Sequence, residues 1–337
     1  MLRATQKLSL MKRTLRLFVV CVAVIFTSCT TRNTLQPRTT AGDAYDVLII
    51  CPNEAWRGEL ANSVCDMLEA DAPGLTRPEG YFNIIKQTDE KGATNIDRKY
   101  PNILKLDISP VHTTPSTRVA KNVYARPQTM VTLSAADAAT AAKYIDLSAE
   151  ALRELFEAGE REASNNHSAS HASAELMDDF EAHTGFCMVI PANYYKATTR
   201  DNNLLWYIRD YEKKAQYIFA YSYDYVDAED LTAEWLMRSL DNRLSIISSK
   251  GAVGSYMGVN EEGPAELCEV YINGRTWYEL RGWWEVEGDF MGGPFVSYST
   301  LDSATRRITT ILFALYAPEE GQRNPLREIE HLIYTIK

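Results

Sequence analysis

The dipeptide Asn273-Gly274 constrains the fold more than any other feature, because it separates two strand-like runs, 266–272 and 275–286. Both residue types accept positive φ, so the pattern predicts a hairpin with a two-residue type I′ loop. A two-residue loop also fixes which residues face each other. The expected pairs are Ile272 with Arg275, Val270 with Trp277, Cys268 with Glu279, and Glu266 with Arg281. Large apolar side chains then occupy both faces of the second run, which predicts a central strand.

Glu279 and Arg281 are two of the charged residues on this predicted central strand, and both lie in its interior. Buried charges are costly unless they are paired, and Glu266 is the expected partner of Arg281 across the ladder. Glu279 faces only Cys268, so it must find a donor elsewhere or line a pocket. We therefore take Glu279 as the leading candidate for a functional polar residue. The alternative is a surface glutamate at the edge of a bent sheet.

The N-terminal residues 1–28 predict export. They hold five basic residues, no acidic residue, and then the apolar run 17–26, which is the order of a secretory signal. The run is too short for a retained transmembrane helix. It leads into Phe26-Thr27-Ser28-Cys29, which resembles a lipobox although phenylalanine replaces the usual leucine. We expect lipidation of Cys29; the alternative is an ordinary signal peptide. Met1 and Met11 both remain possible starts.

Residues 29–43 are poor in large apolar side chains and predict a flexible tether.

Removing the five basic residues of the signal from 35 Lys plus Arg leaves 30 against 45 Asp plus Glu, a formal net charge of −15. This acidity argues against nucleic acid as a partner. Four further cysteines have no metal-type or CxxC spacing, and we favour buried thiols over disulfides. They are Cys51, Cys65, Cys187 and Cys268.

Aromatic residues divide the chain, since five of six Trp and fourteen of nineteen Tyr follow residue 190. The segment 163–174, made largely of Ser, Ala, Asn and His, suggests a linker or a solvated helix. We predict two α+β domains, 44–165 and 172–337, with mixed or antiparallel sheets and packed helices. Predicted strands are 45–51, 81–86, 102–108, 122–133, 186–191, 203–209, 214–225 and 305–316. Predicted helices follow Asn53 and Asp137 and span 174–183, 231–247 and 325–336.

Four segments carry a family resemblance. They are LRGWWEVEGDFMGGPFVSYS (280–299), PNILKLDI (101–108), AWRGEL (55–60) and PGLTRPEGYFNI (73–84). These resemble the uncharacterised Bacteroidetes envelope lipoproteins called domain of unknown function 4837, over nearly the whole mature chain. The resemblance implies an outer-membrane-associated lipoprotein with no assigned activity. In such relatives an acidic run after the lipidated cysteine accompanies surface display; its absence here favours the periplasmic face. The element order of the second half is similar to PsbP-like domains, which implies a binding or assembly module.

Motifs for common hydrolases, metalloproteases and nucleotide-binding enzymes are missing from the sequence, and we predict no cofactor. His167 and His171, four residues apart, would share a helical face with Glu175 and suit Zn²⁺; the alternative is a solvated helix or linker. The candidate ligand-binding residues are Trp277, Glu279, Arg281, Trp283 and Asp289.

Carboxylates beside tryptophan also occur in sugar-cleaving sites, so Glu279, Glu285 and Asp289 define an alternative, a carbohydrate-active enzyme or glycan binder. Alternate aromatic residues from Tyr217 to Tyr225 form either core or a binding platform, and we favour core. Our main prediction is a membrane-anchored binding or assembly module of the cell envelope. Its expected partners are the lipid bilayer, through acylated Cys29, and an unidentified envelope protein or glycan.

Overall fold

The structure is a computed structural model that describes residues 38–201, 203–211, 213–249 and 252–337. The predicted signal peptide and the predicted lipidation site, Cys29, lie outside the described residues. Within these ranges, none of the helices combines the length and the apolar character needed to cross a bilayer. The chain has an α+β fold with two sheets, one mixed and one antiparallel, which confirms the predicted fold class.

The first half builds a five-stranded sheet. The strands of this half are β1 (Arg38–Thr39), β2 (Asp46–Ile50), β3 (Asn83–Thr88), β4 (Asn102–Ile108), β5 (Ser116–Lys121), β6 (Ala125–Arg126) and β7 (Thr129–Ala135). Strands β1 and β6 pair with each other, and the other five form the sheet. The sheet order is β3-β2-β4-β7-β5, with β5 antiparallel to β7 and the other pairs parallel. Every residue of β2 is buried, as expected for a continuous apolar run inside a parallel sheet. Helices α1 (Glu59–Leu68) and α2 (Ala138–Ser170) supply much of the core on one face.

The start of the described chain is not a free tether. Strand β1 pairs in parallel with β6, and the Ala41 N–H donates to the Lys99 carbonyl at 2.9 Å. The prediction of a flexible tether is therefore wrong for residues 38–43. Their backbone polar groups find partners in the first domain, which the polar composition of the segment does not reveal.

The second half builds an eight-stranded antiparallel sheet. Its strands are β8 (Tyr195–Lys196), β9 (Leu205–Asp210), β10 (Ala215–Asp224), β11 (Tyr256–Asn260), β12 (Glu266–Ile272), β13 (Arg275–Glu287), β14 (Gly292–Asp302) and β15 (Arg307–Tyr316). The order is β11-β13-β14-β15-β10-β9-β8, and β12 also pairs with β13. Helices α3 (Ala174–Thr184) and α5 (Arg323–Glu330) pack on one face, and α4 (Ala233–Leu244) packs on the other.

The Asn273-Gly274 hairpin has the predicted form. Both loop residues have positive φ, 48° for Asn273 and 87° for Gly274, as a type I′ loop requires. All four predicted pairs between β12 and β13 are present. Strand β13 pairs with β14 on its other side, so the prediction of a central strand is confirmed. The aromatic stripe is core, since Phe219 and Tyr221 are 1% exposed and pack with Leu236 and Leu240 of α4.

Three local predictions fail. Helix α1 begins at Glu59, after Gly58, and the Asn53 side chain instead contacts Asp89. The segment 186–191 is not a sheet strand; Cys187 exchanges backbone hydrogen bonds with Lys337 at the end of the chain. The predicted strand 122–133 is divided, with β7 starting only at Thr129. In each case a partner distant in sequence, or a turn, replaces the local pattern.

Segment 163–174 does not form a separate linker, because α2 continues to Ser170. The Asp137 carboxylate caps this helix by accepting from the Thr140 N–H at 2.7 Å, as its sequence position predicts. Strand β14 was not predicted, because its Gly-Gly-Pro start is typical of a turn.

Candidate functional site

The two sheets are joined by a segment of the first half, 73–83, that packs against α5 and β13. The Glu79 carboxylate accepts the N–H groups of Gln322 at 2.6 Å and Arg323 at 3.1 Å, and so caps the start of α5. The Trp283 indole N–H donates to the Gly74 carbonyl at 3.1 Å. These contacts place one face of β13 opposite α2 and leave a space between them.

This space is an interdomain cavity of about 670 Å³. Helix α2 forms one wall, and β12 and β13 form another. Helix α5 and the 3₁₀ segment His331–Thr335 that follows it complete the lining. The α2 wall carries charged residues at spacings of three and four, which place them on one helical face. They are Glu150, Arg153, Glu154, Glu157 and Arg161.

A buried ion-pair network lies at the floor of the cavity. Arg281 is 6% exposed; its Nε donates to Glu279 Oε1 at 2.8 Å and its two terminal nitrogens donate to Glu330. Glu330 also accepts from Tyr298 Oη at 3.0 Å and from Arg327 Nη1 at 3.4 Å. Burial opposes ionisation of Glu330, but the guanidinium groups of Arg281 and Arg327 outweigh it and lower its pKa to about 2. Glu330 therefore stays ionised beside the positive charges of Arg281 and Arg327.

The prediction that Arg281 forms an ion pair with Glu266 is wrong, although the two residues face each other in the ladder. Glu266 is exposed on β12, whereas the Arg281 guanidinium is enclosed beneath α5. A buried guanidinium needs carboxylates that are buried with it. Helix α5 supplies one of these carboxylates, Glu330, when it packs against β13. Glu279, which precedes Arg281 by two residues on the same strand, is the other.

The other arginines of the cavity are also engaged within the protein. Arg161 donates to Glu154 at 2.6 Å, and its guanidinium carbon lies 4.2 Å from the centre of the Tyr334 ring. Arg327 Nη2 lies 3.7 Å from Glu157 Oε1. Arg153 has no carboxylate partner among the described residues, but it donates to the Met67 carbonyl at 3.2 Å. The guanidinium groups are therefore largely satisfied without a ligand.

Two buried groups of the lining retain unused hydrogen-bonding capacity. Glu157 Oε1 has no hydrogen-bond partner in the described part of the chain, and burial raises the pKa of this carboxyl. His331 is 3% exposed, with Nε2 3.3 Å from Tyr45 Oη and Nδ1 unpartnered among the described residues. Burial lowers the pKa of His331 to about 3, so the ring is neutral at pH 7. Unsatisfied buried groups of this kind are rare and point to a site that receives a ligand or water.

The structure separates the predicted ligand-binding residues. Glu279 and Arg281 line the interdomain cavity. Trp277 is buried in the core beside Phe186, with ring centres 5.5 Å apart, and Trp283 contacts Gly74 of the first half. Asp289 lies in the turn after β13 and accepts from Ser249 and from the Phe290 N–H. The sequence prediction thus identified two residues of the cavity and three that lie outside it.

The carboxylates of the carbohydrate-active alternative do not share a cleft. Glu285 accepts from Asn260 at 2.7 Å and lines a different cavity of about 480 Å³. Glu279 and Glu285 are six positions apart along β13, a distance of roughly 20 Å. Glycosidase carboxyl pairs lie about 5 to 10 Å apart.

The predicted histidine site keeps its two histidines, whose ring centres lie 4.5 Å apart, and loses Glu175. Helix α2 ends at Ser170 and α3 begins at Ala174, so Glu175 does not share a helical face with His167 and His171. Among the described residues, no three or more His, Cys, Asp or Glu side chains come together as a possible metal site. The four cysteines of the described chain are free thiols, as favoured from the sequence, but of the four only Cys51 is buried, and Cys268 is exposed.

Sequence reasoning missed most of the residues that line the cavity, among them Glu157, Arg327, Glu330 and His331. The available signal is a set of charged residues at positions between the apolar residues of α5, such as Leu326 and Ile329. Charged residues that lie between the buried apolar residues of a helix require buried partners, but the sequence does not identify those partners.

The two halves match two protein families. Residues 173–335 match Domain of unknown function (DUF4837), and residues 40–169 match Domain of unknown function (DUF8532). The resemblance to DUF4837 is confirmed for the second half, while the resembling segments before residue 109 lie in the DUF8532 match. No curated protein is significantly similar in sequence to this chain.

Similarity to solved structures is low. The Saccharomyces cerevisiae Ran-binding protein Mog1p is 12% identical with a TM-score of 0.29, and covers 45% of this chain and 89% of its own. A point mutant of protein Mog1 gives a TM-score of 0.30 at the same identity and coverage. Human STARD10 is 7% identical with a TM-score of 0.19, covering 48% of this chain and 74% of its own. These scores are too low to support an argument about function.

Proposed function

We propose that this chain, which joins a DUF8532 domain to a DUF4837 domain, is a lipid-anchored binding module of the cell envelope whose ligand occupies the interdomain cavity. The observation that carries the proposal is the cavity itself. Its volume of about 670 Å³ is within the usual range of ligand sites, and such sites favour domain junctions. It also contains two buried polar atoms without a hydrogen-bond partner among the described residues, Glu157 Oε1 and His331 Nδ1.

Binding without chemical conversion accounts best for the charges of the cavity. General acid and base catalysis needs groups with pKa values near the working pH. Arg281 and Arg327 hold Glu330 ionised, and burial keeps His331 neutral. Burial raises the pKa of Glu157, and the charge of Arg327 opposes that rise. The wide separation of Glu279 and Glu285 adds no support for a sugar-cleaving pair.

The anchor is proposed from the signal and the lipobox-like residues that end in Cys29. Residue 38 is already paired with the first domain, so nine residues connect it to the proposed lipid. Fully extended, nine residues span about 30 Å. The body would therefore stay close to the bilayer, and we place it at the outer membrane, facing the periplasm.

Substitution Cys29→Ser tests the anchor. The wild-type chain should require detergent for extraction, because each buried CH₂ of the acyl chains contributes about 0.8 kcal/mol. The variant should appear in the fraction that is soluble without detergent. If it stays with the membranes, lipid on Cys29 is not what holds the protein there.

Filling the cavity tests the ligand site. Ala151 is exposed and lines the cavity, so Ala151→Trp should occupy the space without disturbing the core. Envelope glycans and polysaccharides that bind wild type should bind this variant weakly, with no release of reducing sugar. Release of sugar that is lost in Glu279→Gln would instead establish the carbohydrate-active enzyme.

A further inference from the structure

We infer that the interdomain cavity binds a cation of the alkylammonium or guanidinium type, either a free amine or the side chain of a lysine or arginine in an extended peptide. The inference rests on the proposed function and specifies its ligand. It follows from which hydrogen-bonding groups of the cavity are used and which are free.

Three of the four arginines of the cavity already have carboxylate partners. The fourth, Arg153, donates to the Met67 carbonyl, and its guanidinium carbon lies 4.6 Å from the centre of the Tyr81 ring. All three nitrogens of the Arg281 guanidinium donate to carboxylates, and both terminal nitrogens of Arg327 lie beside Glu330 or Glu157. Arg161 is paired with Glu154 and stacked on Tyr334. An anionic ligand bound by Arg161, Arg281 or Arg327 would have to displace these carboxylates, which leaves charges unpaired and is costly.

The acceptors are in surplus. Five glutamates and four arginines line the cavity. Glu150 forms no ion pair among the described residues, and Glu279 accepts a hydrogen bond there on Oε1 only. Glu157 Oε1 is buried; Arg327 Nη2 lies 3.7 Å away, too far for a hydrogen bond, and no other donor reaches this oxygen in the same part of the chain. An ammonium or guanidinium group supplies the donors that these oxygens lack, and hydrogen bonds between charged groups are the strong ones.

The wall beside these acceptors suits an alkyl stem. Pro73, Ala151 and Val270 line the same cavity and offer apolar contacts. Lysine and arginine side chains bury their methylene groups along such surfaces while the charged end reaches polar partners. His331, 3% exposed and with an unpartnered ring nitrogen among the described residues, adds a buried polar contact.

The open edge of β12 makes the peptide source possible as well as the free amine. This strand pairs with β13 alone among the described strands, and its Cys268 and Val270 line the cavity. An added strand can pair with an edge of this kind through its main chain. A peptide would then gain affinity that a free amine lacks.

Calorimetric titration of the purified full chain separates these sources. The probes are 1,5-diaminopentane, agmatine, and a seven-residue Gly-Ser peptide with a central lysine. Two matched peptides replace that lysine with Nε-acetyllysine or glutamate. We expect binding of the cationic probes and at least tenfold weaker binding of both matched peptides. A lysine peptide that binds more tightly than both amines identifies the peptide source.

Variants locate the binding. Glu157→Gln should weaken the cationic probes about tenfold or more, as expected for a hydrogen bond to a charged group. Glu150→Gln, at an exposed position, should weaken binding of the cationic probes less. This variant still tests the inference if Glu157→Gln does not fold. Glu162→Gln is the control, because this residue of the same helix pairs with Lys121 outside the cavity. It should leave affinity unchanged.

Several results overturn the inference. They are equal binding of the glutamate peptide, wild-type affinity in both cavity variants, or binding of none of the cationic probes. If an acidic or neutral probe binds wild type and not Ala151→Trp, the cavity is a ligand site for another chemistry and only the inference fails. If no glycan, peptide or amine distinguishes wild type from Ala151→Trp, the proposed function fails too.

Discussion

Removal of the Arg281 charge should destabilise the second domain strongly. In Arg281→Met, the apolar side chain has a similar length, but Glu279 loses its donor and Glu330 loses two of its four. Breaking a buried ion pair costs about 3 to 5 kcal/mol, because it leaves an uncompensated charge. We expect the free energy of unfolding to fall by that amount. Adding Glu330→Gln should cost less than the sum of the single changes, since it removes the stranded charge.

Urea denaturation followed by tryptophan fluorescence measures this effect, because five of the six Trp lie in the second half of the chain. The matched control is Arg238→Met, which removes an exposed ion pair with Glu234 on α4. Exposed pairs contribute little, so this variant should resemble wild type. A loss below about 1 kcal/mol in Arg281→Met, or strictly additive effects in the double variant, would refute the argument that the network is buried and coupled.

Two further predictions concern the same interface. Burial lowers the folded pKa of His331 to about 3, so the unfolded chain takes up a proton below about pH 6.5 that the folded chain does not. The contribution of His331 to stability is therefore lost as pH falls from about 6.5 towards 3, by about 1.4 kcal/mol per pH unit. In His331→Gln, the free energy of unfolding should depend less steeply on pH than in wild type. Equal pH slopes in the two proteins would contradict this prediction. Glu79→Ala removes the cap on α5, so the free energy of unfolding should fall by about 1 kcal/mol and the urea midpoint with it. Glu181→Ala, at an exposed site of α3, is the control and should leave the midpoint unchanged.

Local chemistry explains the predictions that succeeded. The φ preferences of Asn273 and Gly274 fix the hairpin register, and the alternation of side chains then assigns Trp277, Glu279 and Arg281 to one face of β13. Asp137 marks the start of α2 for a similar reason, because its carboxylate accepts a backbone N–H three residues away. Such interactions involve neighbours in the sequence, so the residue order is sufficient to predict them.

Predictions failed where the decisive partner is distant. Asn53 is a suitable capping residue, yet tertiary contacts place its side chain beside Asp89. His167, His171 and Glu175 have helical spacing, but the chain leaves the helix at Ser170. Residues 186–191 resemble a strand, and their hydrogen-bond partner is the end of the chain.

The sequence by itself determined that Glu279 and Arg281 lie side by side on a central strand and need buried partners. The tertiary structure alone decided which partners they have. Arg281 meets Glu330 from a helix 49 residues away, and that helix is capped by Glu79 from the other half of the chain. The physical reason is that burial, and with it the need for pairing, arises only when the two halves dock. The cavity belongs to neither half, so no local pattern in either one could show it.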